Sequence, residues 1–303
     1  MKKFVHIAFV GAGMISTGLG ACCVARGLKV TFQNPERSIP HARNEIERIL
    51  SFFKEQALIS EEAYEKVRTL YTITPDLEDA VRGADLVIEG APENLTLKQS
   101  LYDEIEALAA EDTVIASTSS RFTAGELSRG MRHPERFLLA HPWHPSYLLP
   151  LIEVMGSEMV SMEAVESVRA FFESIGKEVV VCRHDISGCL GNEISWTISN
   201  IAKRYVKEGI CTAEDIDRVI MYGVGLRLAA TGQLLTISLG TPGGLRNYAA
   251  KFHREPEPGI DLVADSVDQE MVARRPEEGQ DWESCAAYRD EMIVKILKAK
   301  SKL

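Results

Sequence analysis

The chain has 303 residues, 45% hydrophobic and 26% charged, with a net charge of −10, a length that accommodates two ordinary domains, each with its own core. Lys and Arg are scattered rather than clustered, which argues against nucleic acid or an anionic membrane as partner and for a small soluble ligand. The six cysteines form no Cys-x-x-Cys pair and no His spacing of a zinc site, so they read as reduced thiols and no metal is expected.

The opening Met1-Lys-Lys-Phe-Val-His-Ile-Ala-Phe-Val10 reaches glycine at once. It is too short for a signal-peptide core and predicts a first strand over 4–10. No uninterrupted apolar stretch approaches the roughly 18 residues that cross a bilayer, and the expectation is a cytoplasmic enzyme or binding protein.

Gly11-Ala-Gly13-Met14-Ile15-Ser16-Thr-Gly18 follows and opens a helix. This is the strand, glycine turn and helix order of a dinucleotide site: Gly11 permits the tight turn, Gly13 lets the backbone approach a pyrophosphate, and the helix N-terminus offers N–H groups and positive dipole. Ser16 stands where a third Gly is usual and is only slightly larger than the permitted Ala. The second strand, over 30–33, runs into Asn34 where an Asp or Glu would hold the ribose of NAD. Asn does not repel a 2′-phosphate and Arg37 could pair with one, so NADP stays open beside NAD. Asn34 as the start of a turn before Pro35 is compatible with either cofactor.

Residues 41–69 are charged, with Ile46, Ile49, Leu50 and Phe53 at helical spacing, and predict a helical excursion from a sheet. Further strands are expected over 70–73, 86–89, 113–117, 137–141, 151–155 and 178–182. Helices are expected over 96–109, with Leu97, Leu101, Ile105 and Leu108 on one face, and over 162–175. The order predicts a parallel sheet covered on both faces. From Ser187 strand signals nearly vanish: Ile194, Ile198, Ile201 and Tyr205 mark a long helix, Pro256 and Pro258 interrupt the remainder, and 284–303 closes as a basic-ended helix. The expected architecture is an α/β Rossmann-type N-terminal domain, 1–185, plus an all-α C-terminal domain, 186–303, with a cleft between the two as the default ligand site.

Two short apolar runs carry the chemistry. His141 ends Arg136-Phe-Leu-Leu-Ala-His141, and Glu153 sits inside Pro150-Leu-Ile-Glu-Val-Met155. Buried strands rarely hold an ionisable side chain without a partner, so the two are expected to face each other. A carboxylate on one imidazole nitrogen fixes the tautomer and frees the other nitrogen to take a proton. A satisfied core histidine in a structural ion pair is the plainer reading of the same residues.

With these residues in place, the chain resembles the 3-hydroxyacyl-CoA dehydrogenase superfamily over essentially its whole length. The resemblance rests on the glycine loop, Val87-Ile-Glu-Gly-Ala-Pro-Glu93-Asn-Leu-Thr-Leu-Lys98, Ala116-Ser-Thr-Ser-Ser120, the His141 and Glu153 pair, and Gly188-Cys-Leu-Gly-Asn192, in that order. It implies His141 as general base, Glu153 as its orienting partner, and Ser119 and Asn192 as hydrogen-bonding groups for the substrate oxygen. It also implies a cofactor pocket lined by Gly11, Gly13, Met14, Ile15, Ala91, Glu93, Lys98 and Ser117, with NAD as the hydride acceptor. Taken singly, these polar residues have plainer readings as turn, cap or solvated helix residues.

Tyr147-Leu-Leu-Pro150-Leu-Ile-Glu153 and Tyr222-Gly-Val-Gly-Leu-Arg227-Leu-Ala-Ala-Thr-Gly232 are similar to the L-carnitine and L-gulonate dehydrogenase branch. A guanidinium at Arg227 suits a free carboxylate, which favours a small 3-hydroxy acid over a CoA thioester. His144 stands where the family has Asn. Trp143, Tyr147 and Trp196 could form an aromatic cage for a trimethylammonium group or simply be walls. The resemblance implies a homodimer formed through the helical half. Two rivals remain: a short-chain 3-hydroxyacyl-CoA dehydrogenase, and a nucleotide-binding protein without catalysis.

Overall fold

The computed structural model describes residues 2–303. Its chain contacts fall into two units, Met1–Trp196 and Thr197–Leu303.

The first unit alternates strand and helix. In chain order it holds β1 (His6–Val10), α1 (Met14–Ala25), β2 (Lys29–Gln33), α2 (Ile39–Glu55), α3 (Glu61–Val67), β3 (Tyr71–Thr74), α4 (Leu77–Val81), β4 (Leu86–Glu89), α5 (Leu95–Leu108), β5 (Val114–Ser117), α6 (Ala124–Leu127), β6 (Phe137–Pro142), β7 (Leu151–Met155), α7 (Met162–Ser174), β8 (Glu178–Val181) and the start of α8 (Leu190–Lys207). The eight strands form one sheet in the order β3-β2-β1-β4-β5-β6-β7-β8. The first six have the doubly wound order of a dinucleotide-binding domain, with its switch point between β1 and β4.

The sheet is not wholly parallel. β7 runs antiparallel to β6, with His141 directly opposite Glu153. The eight residues from Trp143 to Pro150 that join these strands are too few for a crossover, which needs a dozen or more, so the chain must turn back. α7 then supplies the crossover that returns β8 parallel to β7. The antiparallel step puts the His141 and Glu153 side chains on one face, within reach of each other.

Both faces of the sheet are packed. Ile7, Phe9, Phe32 and Leu138 meet α1, α2 and α7 on one side. Ala8, Val87, Ile115 and Leu139 meet α4, α5 and α6 on the other. Phe9 and Phe32 stack at 5.2 Å, and each fully buried side chain of this size contributes about 1.5–3 kcal/mol. The expected excursion is two helices, α2 and α3, with Ile46, Ile49, Leu50 and Phe53 buried as the spacing predicts.

The expected face of α5 is met in part: Ile105 is buried and Leu101 and Leu108 pack against the core, while Leu97 does not. Leu97 is 46% exposed, and the inward residues are Lys98, Tyr102, Ile105 and Glu106. The cause is Glu89, fully buried at the end of β4. Its carboxylate accepts from Lys98 Nζ at 2.7 Å, Tyr102 Oη at 2.6 Å and Ser117 Oγ at 2.7 Å. An unpaired buried carboxylate is too costly to leave, and α5 turns its donors inward to meet it. Burial and the adjacent Glu89 push the Tyr102 phenol well above its ordinary value, so it remains a donor.

The second unit is helical: the rest of α8, then α9 (Ala213–Val219), α10 (Gly225–Thr231), α11 (Gln233–Leu239), α12 (Tyr248–Lys251), α13 (Ile260–Ala273) and α14 (Trp282–Ala299). Its core gathers Leu235, Leu245, Ala264, Val267, Met271 and Cys285. Pro256 and Pro258 fall in the break between α12 and α13, as expected. The apolar row Ile194, Ile198 and Ile201 of α8 is exposed. Among the described residues no single helix is long and apolar enough to cross a membrane.

Candidate active site

At the switch point the backbones of the two central strands nearly touch. Gly11 has φ +91°, and a Cβ there would stand 2.8 Å from the Gly90 carbonyl oxygen, so this turn requires glycine. Beyond it opens a cavity of about 620 Å³ lined by Gly13, Met14, Ile15 and Ser16 on one wall and by Gly90, Ala91 and Glu93 on another. Thr118, Ser120, His141, Pro142, Trp143, His144, Asn192 and Trp196 complete it, and all belong to the first unit.

The turn fits a dinucleotide on three observations. Gly13 caps α1 with no side-chain hydrogen bond and no acidic residue follows in the first turn, which leaves N–H groups and dipole available to phosphate. Nothing lies within 4 Å of where a Gly13 Cβ would be. Ser16 Oγ is buried, lines the cavity and has no hydrogen-bond partner, an orphan that a bound ligand would satisfy. The Ser16 hydroxyl is accommodated because glycine stands opposite: a Cβ at Gly90 would collide with Ser16 Oγ. Gly90→Ala is therefore expected to weaken NAD binding by about tenfold or more, and Ser16→Gly in the same chain to restore most of it. Unchanged NAD affinity in Gly90→Ala, measured by fluorescence titration, would remove this account of the loop.

The antiparallel pair brings His141 and Glu153 together as a hydrogen-bonded dyad. His141 Nδ1 lies 3.1 Å from Glu153 Oε2, both side chains nearly inaccessible. Glu153 also accepts from Trp143 Nε1 at 3.1 Å and from the Gly191 backbone N–H at 3.0 Å. Burial alone would raise this carboxyl. The bonds from His141, Gly191 and Trp143 outweigh it and hold Glu153 below the ordinary carboxylate range. An ionised Glu153 can only accept, which puts the proton on His141 Nδ1 and leaves Nε2 as the basic nitrogen. Cys189 completes a trio whose polar atoms lie within 4.8 Å of one another. Burial, aided by Glu153, pushes its thiol up to about 12, so it stays protonated.

The other expected residues divide. Asn192, Trp196, His144, Met14, Ile15, Ala91 and Glu93 line the cavity with His141. Ser119 is 1% exposed, and its hydroxyl donates to Glu93 at 2.9 Å while the loop presents Thr118 and Ser120 to the cavity. Lys98 and Ser117 are turned inward onto Glu89. Asn34, at the end of β2, accepts from the Ala12 N–H at 3.3 Å, and Arg37 is exposed beyond it. Arg227 is exposed on α10 and lines a separate hollow of about 220 Å³ with Gln233 and Lys251.

The three-sided aromatic cage is not formed, because Tyr147 points elsewhere. Its ring packs 5.8 Å from Phe52, with the Arg48 guanidinium 5.6 Å from its centre. Ser146 Oγ donates to the Ile15 carbonyl and Lys177 Nζ to those of Ser146 and Leu149, which fixes this loop toward α2. Two residues that sequence reasoning passed over matter more. Glu89 and Gly191 organise the cavity wall and the dyad. Glu89, a carboxylate ending an apolar strand, carries the same signal that singled out Glu153.

Similarity to known proteins runs over most of the chain. The family model described as 3-hydroxyacyl-CoA dehydrogenase, NAD binding domain, matches residues 6–186, and that for the C-terminal domain matches 188–280. An L-carnitine dehydrogenase of Pseudomonas putida is 30% identical, over 96% of this chain and 92% of that protein. One of Streptomyces coelicolor is 33% identical, over 98% and 95%. The solved structure of a 3-hydroxyacyl-CoA dehydrogenase from Archaeoglobus fulgidus has the same fold, with a TM-score of 0.71, 22% identity, and coverage of 99% of this chain and 100% of that one.

Proposed function

The chain belongs to the 3-hydroxyacyl-CoA dehydrogenase family, and from that premise we propose that it oxidises a small free 3-hydroxy carboxylic acid, carnitine- or gulonate-like, to the 3-keto acid. It is an NAD-dependent oxidoreductase acting on CH–OH. The observation that carries the reading is the His141–Glu153 dyad opening on the cavity that the glycine turn also lines.

Bound NAD supplies the hydride acceptor at its nicotinamide ring. His141 Nε2 takes the hydroxyl proton, and Glu153 holds the ring and stabilises the imidazolium that forms. Asn192, which lines the cavity, is the proposed hydrogen-bonding group for the substrate oxygen. Ser119, bonded to Glu93, acts by holding that carboxylate at the cavity edge. Trp143 and Trp196 give the substrate end two indole walls, and Trp196, 57% exposed, offers a face to a quaternary ammonium.

Arg227, which lines a hollow with Gln233 and Lys251, is put forward as the handle for the free carboxylate on the sequence resemblance alone. The six cysteines stand as free thiols, which suits a cytoplasmic setting.

The test is NAD and NADP reduction at alkaline pH across L-carnitine, L-gulonate, 3-hydroxybutyrate and 3-hydroxybutyryl-CoA. Turnover of a free acid with NAD is expected. Arg227→Ala should raise its KM by roughly 10- to 100-fold, the worth of a charge-assisted pair. Turnover of the thioester alone, or a free acid indifferent to Arg227→Ala, would overturn the carboxylate reading.

A further inference from the structure

Glu153 carries more donors than a base dyad requires. Oε2 lies 3.1 Å from both His141 Nδ1 and Trp143 Nε1, while Oε1 takes the Gly191 N–H at 3.0 Å. The three come from different places: β6, the loop after it, and the first turn of α8.

Gly191 has a second part in this. A Cβ there would stand 2.5 Å from Trp143 Cζ2 and 3.2 Å from its Nε1, so the indole lies where only glycine leaves room. Trp143 and His141 rings meet edge-on at 6.5 Å.

Resting on the reading of His141–Glu153 as the base dyad, we propose that Trp143 is its positioning residue: its indole N–H shares Glu153 Oε2 with His141, and Gly191 is the recess that seats it. An oxygen shared by two N–H donors gives less to each, but three donors leave the carboxylate no freedom to rotate. Trp143 therefore trades some strength of the His141–Glu153 bond for a fixed carboxylate that stays ionised.

The other groups facing Glu153 do not compete for this role. Burial raises the thiols of Cys182, beyond β8, and Cys189, before α8, and both stay neutral. Glu93 and His144 stand on the cavity wall, and neither hydrogen-bonds Glu153 among the described contacts.

Trp143→Phe keeps a ring and removes the donor. In the full-length protein, the ¹³C signal of the Glu153 carboxyl is expected to titrate about half a unit to one unit higher in pH, the size of one lost donor. The acid limb of kcat/KM for hydroxy-acid oxidation should move up in pH by a similar amount, because Glu153 Oε2 then serves His141 alone. Gly191→Ala should reproduce both shifts and add almost nothing in the Trp143→Phe background, where the smaller ring leaves space for the methyl. Profiles and titrations of Trp143→Phe that coincide with the parent would overturn the proposal. So would a Gly191→Ala effect of equal size in both backgrounds. If no hydroxy acid is turned over, the proposed activity fails, while the carboxyl titration still decides the role of Trp143.

Discussion

His141→Ala is expected to lower kcat for hydroxy-acid oxidation by about three orders of magnitude, within the range of a lost general base, while NAD affinity stays within about twofold. The split follows from the geometry. Among the described hydrogen bonds His141 has none to the glycine turn or to the orphaned Ser16 hydroxyl, which line the proposed dinucleotide wall. Its bond is to Glu153, so its loss removes the acceptor of the hydroxyl proton and leaves the cofactor wall intact. His141→Gln sharpens the experiment, because an amide can still donate to Glu153 yet offers no basic nitrogen. A core histidine that only satisfied Glu153 would be well replaced by Gln. Stopped-flow NAD reduction, with NAD titration and a thermal melt of each variant, makes the comparison. A kcat within tenfold of the parent in His141→Gln would return His141 to a structural role.

How much of this was legible in the sequence depends on the range of the interaction. The glycine turn is local: strand, Gly11 and Gly13 and the helix follow within a few residues, and the structure places them where the spacing predicts. The facing of His141 and Glu153 was also legible, since two buried strands with one ionisable residue each leave few other solutions. The antiparallel step could have been read, because eight intervening residues cannot hold a crossover. The Glu89 cluster could not be counted along the chain. Its donors come from Lys98, Tyr102 and Ser117, on two elements, and the apolar spacing of α5 pointed to Leu97 instead. The period places Leu101, Ile105 and Leu108 inward, but it carries no sign of the polar residues that share the buried face. The bond from Trp143 to Glu153 and the recess at Gly191 likewise join a loop to a distant helix start, and an aromatic residue beside a cleft reads equally well as a wall.

Glu89→Ala is expected to destabilise the protein by about 3–5 kcal/mol, the penalty of leaving a buried charge without its partner. Lys98 is 1% exposed and Glu89 is fully buried. Without Glu89, the nearest remaining carboxylate to the ammonium is Glu93 at 3.8 Å, itself 37% exposed. Tyr102 and Ser117 would lose their acceptor in the same core. Lys98→Met in the Glu89→Ala chain should restore part of the loss, since it removes the unpaired buried ammonium while the cavity and the Tyr102 and Ser117 donors remain. Restored stability need not restore function. Glu89 Oε1 also accepts from the Ala91 N–H at 2.5 Å, and Gly90 and Ala91 form one wall of the cavity. The double variant should therefore fold and still show a raised KM for NAD. Urea denaturation followed by circular dichroism measures the first effect and steady-state kinetics the second. A Glu89→Ala midpoint close to the parent would show that the cluster is hydrated and not the anchor of α5. A double variant with parental KM would show that the cluster stabilises the sheet without holding the cofactor loop.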